Sequence, residues 1–172
     1  MSKTKRIILV GLLASSGLVL SIIETMIPMT TLVPGAKLGL ANITNIIGMV
    51  LINISAGFQI LLFRIIVGSL LTGTFMTITF FMSFFGGLTG YLVMALIYYF
   101  FKNKFSIIGI SIFGAVFHNV GQVITAYFII DSRAIFYYLP YLVLLAVPTG
   151  MGIGFIAYFS LKYLRAIQLK RD

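Results

Sequence analysis

Residues 58–71 read Phe58-Gln-Ile-Leu-Leu-Phe-Arg64-Ile-Ile-Val-Gly-Ser-Leu-Leu71, an apolar run with an arginine in its middle and no acid near it in sequence. The whole chain has the same character. It is 60% hydrophobic and 9% charged, with a mean hydropathy of +1.14. That composition is of a polytopic membrane protein, in which each crossing needs ~20 mostly apolar residues. The 172 residues hold about six such crossings and leave no room for a soluble catalytic domain. An arginine at bilayer depth costs at least ~2.5–3.5 kcal/mol, so a partner, a substrate or an ion path is expected to face Arg64.

Outward from this run, six spans are expected at about 7–28, 38–54, 57–73, 75–101, 106–130 and 136–160. The fold class is an all-α membrane protein, a bundle of six transmembrane helices in one integral domain over 1–172. The second and third spans are short and nearly contiguous, which predicts a tight helical hairpin. Met1–Arg6 followed by Ile7–Leu20 superficially resembles a signal peptide, but no small-residue cleavage site follows, so this reads as a retained first helix. Pro148 predicts a kink in the last helix, because proline lacks the backbone donor and clashes with the preceding turn.

Basic residues divide unevenly between the two sides. Lys3, Lys5, Arg6, Lys102, Lys104, Lys162, Arg165, Lys170 and Arg171 fall on one side, with Lys37 and Arg133 on the other. By the positive-inside rule, both termini are expected in the cytoplasm of a multi-pass cell-membrane protein. Tyr98–Phe101 and Tyr137, Tyr138 and Tyr141 read as aromatic belts. The net charge of +9 sits beside apolar runs, which points to the lipid bilayer and its headgroups and not to nucleic acid.

Much chemistry is excluded by residue type. With no cysteine, one histidine and three acids, no disulfide, thiolate or metal constellation is expected. The chain lacks a GxxxxGK[ST] loop for ATP and the clustered aspartates that hold magnesium and diphosphate. No enzymatic activity, catalytic residue or cofactor of its own is expected.

Polar residues instead form stripes on three helices. At 100° per residue, Asn42, Asn45, Met49 and Asn53 share a face of the second. Gly57, Arg64, Gly68 and Thr72 share one on the third, and Gly114, His118, Gly121, Gln122 and Thr125 one on the fifth. Lipid satisfies none of these groups, so the stripes should face one another. Asn42, Asn45, Arg64, His118 and Gln122 are thus candidate lining of an outward-open pocket; simple interhelical hydrogen bonding is the competing reading. Glu24 is the one acid within a span, and a Glu24–Arg64 pair would explain Arg64 without a ligand. Lys37 follows the Pro34-Gly35 turn at the start of the second helix, where unpaired amides favour an anion. Lys37, those amides and Arg64 together suit a carboxylate or phosphate. Small residues Gly11, Ala14 and Ser15 offer a surface for close approach of another helix.

The stretch Pro34-Gly-Ala-Lys37-Leu-Gly-Leu-Ala-Asn42, with Arg64 and His118-Asn-Val-Gly-Gln122, resembles the Gx transporter family, often labelled heptaprenyl diphosphate synthase component I. The similarity covers essentially the whole chain. That family resembles the S components of energy-coupling factor transporters, six-helix proteins with cytoplasmic termini. The resemblance implies capture of a small amphipathic, anionic molecule from outside and docking on a transmembrane coupling subunit with ATPases. Gly11, Ala14 and Ser15 would make that contact, although an alanine pair at four-residue spacing is missing. The family label also implies an alternative, a membrane accessory subunit in heptaprenyl diphosphate or menaquinone supply. Relatives associated with flavin- or quinone-linked extracellular electron transfer imply a third.

Overall fold

The computed structural model describes residues 2–26 and 39–169. These residues form α1 (Lys3–Met26), α2 (Asn42–Leu51), α3 (Ile54–Leu71), α4 (Ile78–Phe101), α5 (Ile107–Ile130) and α6 (Leu139–Leu169). A 3-10 turn, Arg133–Tyr138, leads into α6. Five of the six helices are long and apolar enough to cross a membrane. The exception corrects the expected second span. Only Asn42–Leu51 is helical there, about 15 Å at 1.5 Å per residue, half of a ~30 Å hydrocarbon core. The sixth helix also runs past its expected end, and it continues through Pro148 without a break.

Local chemistry sets the ends. The Asn53 side chain caps α3 by accepting from the Ala56 amide at 2.8 Å, and Ser106 caps α5 by accepting from Gly109 at 3.1 Å. Asp131 closes α5 in the left-handed conformation, its amide donating to the Tyr127 carbonyl at 2.8 Å. The tight hairpin is present: Ile52 and Asn53 alone separate α2 from α3.

Contacts fix the direction of each helix. Arg6 donates to the Asn53 side chain at 3.4 Å, Gly17 faces Thr44 and Arg64, and Gly68 faces Leu18, so α1 and α3 run parallel. The Tyr91 hydroxyl donates to the Ile54 carbonyl at 2.5 Å while Gly87 lies against Leu61 and Ile65, so α4 returns antiparallel to α3. Gly86 meets Gln122 and Gly90 meets Gly114 across α4 and α5; Gly150 meets Ile112 and Gly154 meets Ile108 across α5 and α6. Each of these pairs is antiparallel. The start of α1 and the end of α6 therefore lie at one end of the bundle. The segment 39–53 also retraces most of the depth of α1, because Gly39 bonds Glu24 near one end and Asn53 bonds Arg6 near the other. A short helix with non-helical flanks takes the place of the second span.

This arrangement puts α2 in the interior. Every residue from Ile43 to Met49 is buried, packed against α1, α3 and α6. A short helix enclosed by longer ones can present polar groups to them without exposing its backbone to lipid.

Candidate functional site: the cleft at the start of α2

The chain enters α2 through a tight turn. Gly39 has φ +76°, a left-handed conformation that side chains oppose, and its amide donates to the Glu24 carboxylate. The Asn42 amide donates to the Gly39 carbonyl at 2.8 Å and the Ile43 amide to the Leu40 carbonyl at 3.1 Å. This turn fixes the Asn42 side chain, and three elements converge on it.

Asn42 Oδ1 accepts two hydrogen bonds, from the Arg64 guanidinium at 3.3 Å and from Asn45 Nδ2 at 3.2 Å. Arginine has no acceptor, so the atom facing it must be the oxygen, and the orientation of the Asn42 amide follows. Two polar atoms in this cluster stay fully buried without a partner, Arg64 Nε and Asn45 Oδ1. Buried polar groups are paired in the great majority of cases, and an exception calls for a cause. Arg64 is half-buried and Asn45 completely buried. Glu24 is the acid whose field acts on Arg64, but its carboxylate is engaged by the Gly39 amide. Glu24 thus serves the Gly39 amide as an acceptor and Arg64 as a counter-charge.

On its other side, Asn42 lines a small cleft. Gly39 and Asn42 form one wall; Ala115, His118 and Asn119 of α5 and Ala146, Thr149 and Ile153 of α6 form the rest. The enclosed space measures about 20 Å³, room for about one water, and it opens at a mouth. A larger ligand would need the walls to part. One of its side chains also ties the wall together: Asn119 Nδ2 of α5 donates to the Leu142 carbonyl of α6 at 2.8 Å, whereas the Thr149 hydroxyl donates within α6 to the Leu145 carbonyl at 2.9 Å.

The residues expected from the sequence are placed unequally. Asn42, Asn45 and Arg64 form one hydrogen-bonded cluster, and His118 joins Asn42 across the cleft. Gln122 departs from its expected place. Its side chain is 2% exposed and packs against Gly86 between α4 and α5, its Oε1 buried without a partner. Gly114 and Gly121 likewise pack on Met94 and Thr89 of α4, so the stripe on α5 is mostly a helix seam, with His118 at its border. Lys37 lies outside the described residues. On α1, Gly11 and Ser15 are exposed on a face with Ile8, Leu12 and Val19, whereas Ala14 turns inward at 3% exposure. The three do not share one surface. Sequence reasoning missed Gly39 and Thr149 as lining residues. A glycine before a helix start was the available signal for the first, and nothing marked the second.

The family model for heptaprenyl diphosphate synthase component I matches residues 13–160, which takes in α2, Arg64 and the whole cleft. The chain belongs to that family. No curated protein and no solved structure matches it. In this family member, Asn42, Asn45, Arg64 and His118 of the matched segment lie at the start of α2 or along the cleft beside it.

Proposed function

We propose that this family member is the substrate-binding membrane component of a small-molecule uptake system, with its ligand held in the cleft beside Asn42. The observation that carries this reading is the Arg64–Asn42–Asn45 cluster, a charge and two amides brought to one point in an apolar bundle with two buried atoms left unpaired. A cluster serving only to join helices would be expected to satisfy its own members. The ligand is small, amphipathic and anionic: Arg64 supplies the positive field, His118 lines the cleft, Thr149 offers an acceptor because its proton is held by the Leu145 carbonyl, and Ile153 and the alanines supply apolar contact.

Orientation follows from charge. Lys3, Lys5, Arg6, Lys102, Lys104, Lys162 and Arg165 belong to the end of the bundle that holds the start of α1 and the end of α6, and Arg133 to the opposite end. Both termini are then cytoplasmic. The exposed α1 face bearing Gly11 and Ser15 is the docking face for a transmembrane coupling subunit with ATPases. The chain performs no chemistry of its own, since its single histidine and three acids offer no acid–base pair or metal set.

The family name supports a second reading, a membrane accessory subunit of prenyl diphosphate supply. Purification from native membranes in mild detergent, with mass spectrometry of everything retained, separates the two. A coupling subunit with ATPases is expected. A soluble prenyltransferase, or an extracellular flavoprotein, recovered in their place would overturn the uptake reading.

A further inference from the structure

The geometry points to Asn42, and not Arg64, as the residue that touches the bound molecule, with Arg64 as a positioning residue acting through it; this rests on the cleft being the binding site. Asn42 Oδ1 is doubly occupied by Arg64 and Asn45, so Nδ2 must face the other way. A Cβ built on Gly39 would lie 3.2 Å from Asn42 Nδ2 and 3.1 Å from Ile153, both lining the cleft, which puts this donor at the cleft wall. Arg64 itself is absent from the cleft lining; its Cδ lies toward Gly17 of α1.

Two consequences follow. The group seated against Asn42 is a hydrogen-bond acceptor, and the arginine charge behind the amide favours an anionic one, a carboxylate or phosphate oxygen, over a neutral carbonyl. The arginine charge also reaches that group indirectly. A cation bonded to the amide oxygen polarises the amide and strengthens its N–H as a donor, as successive hydrogen bonds do along a chain. Asn45 completes the device by holding the same oxygen from within α2. The site thereby favours an acceptor without placing a bare guanidinium in the cleft.

The test uses the full chain in detergent, labelled with ¹⁵N-asparagine, and titrated with acetate, inorganic phosphate, acetamide and guanidinium. Acetate and phosphate are expected to shift the Asn42 side-chain amide signal, acetamide more weakly, and guanidinium not at all. Asn42→Asp replaces the donor with an acceptor and should weaken acetate and phosphate by about tenfold or more. Arg64→Gln keeps a donor to Oδ1 but removes the charge, so the anion-induced shift should shrink. Arg64→Lys keeps the charge and should restore it, which a merely structural role for Arg64 would not require. Anions that fail to move the Asn42 signal, or that bind Asn42→Asp as they bind the wild type, overturn the assignment. If His118→Ala loses a co-purifying small molecule while the Asn42 signal stays indifferent to anions, the cleft stands as the site and only the role of Asn42 falls.

Discussion

The two halves of this bundle both pack through glycines, but one of them adds hydrogen bonds of charged side chains between its elements. Helices α4, α5 and α6 meet through glycines at near-backbone distance: a Cβ on Gly90 would lie 2.6 Å from the Gly114 carbonyl, and one on Gly154 2.6 Å from the Ile108 Cα. Helices α2 and α3 share a seam of the same kind, where a Cβ on Gly57 would lie 2.8 Å from the Asn45 carbonyl, and the α1–α3 half adds polar contacts, Arg6 to Asn53 and Glu24 to the Gly39 amide. In lipid, close packing of small residues is a main source of helix association, and it leaves little freedom to move. Polar joints in a bundle can exchange one partner for another. Under the proposed function, α4–α6 serve as the scaffold and the polar start of α2 as the place where the ligand binds. The cleft lies where the two halves meet, with Asn42 on one side and α5 and α6 on the other.

The contrast breaks first at the glycine seam. Gly90→Val forces atoms into the Gly114 carbonyl and the His118 backbone, and helix backbones cannot yield as a flexible side chain does. Overpacking of this kind should cost roughly 3 kcal/mol, read as a large fall in melting temperature and in yield of folded protein. Gly39→Ala comes next. Its φ of +76° opposes a side chain by about 1–2 kcal/mol, and the new methyl enters the cleft between Asn42 and Ile153. Stability falls moderately in thermal melts, while retention of a co-purifying small molecule falls more.

Tyr91→Phe sharpens the comparison, because its hydroxyl is the polar tie between the scaffold helix α4 and the Ile54 carbonyl of the other half. The loss should be about 1 kcal/mol in denaturant or thermal unfolding, with the seam intact. Arg6→Ala should be the smallest change. Its bond to Asn53 is long at 3.4 Å and exposed, and Asn53 still caps α3, so unfolding should shift by less than about 0.5 kcal/mol.

The scaffold half was the more legible in sequence. Long apolar runs for α4, α5 and α6 gave their positions to within a few residues at most boundaries, because length and hydropathy respond to the bilayer alone. Asn42, Asn45 and Arg64 were also readable as a group, since periodicity put each on an inward face. The partners across helices were not readable. Gln122 and His118 share one stripe on α5, yet one packs under Gly86 and the other lines the cleft, a choice set by how α4 and α6 cross α5. The second span was misjudged for a related reason: hydropathy over 38–54 is satisfied equally by a full crossing and by a ten-residue helix buried among longer ones. Tyr91, a fully buried clamp in an aromatic-rich helix, gave no sign that its hydroxyl would reach another helix's carbonyl.

The central claim is that Arg64 is retained for binding and not for holding the bundle. Arg64→Met tests it, by comparing melting temperature and retained small molecule in protein purified from native membranes. An arginine at bilayer depth costs about 2.5–3.5 kcal/mol, so exchanging it for an apolar side chain of similar length should leave the bundle no less stable if the charge serves no structural purpose. The account predicts an unchanged or raised melting temperature with the small molecule lost. A bundle that melts early, or one that keeps its small molecule at wild-type occupancy, would contradict it.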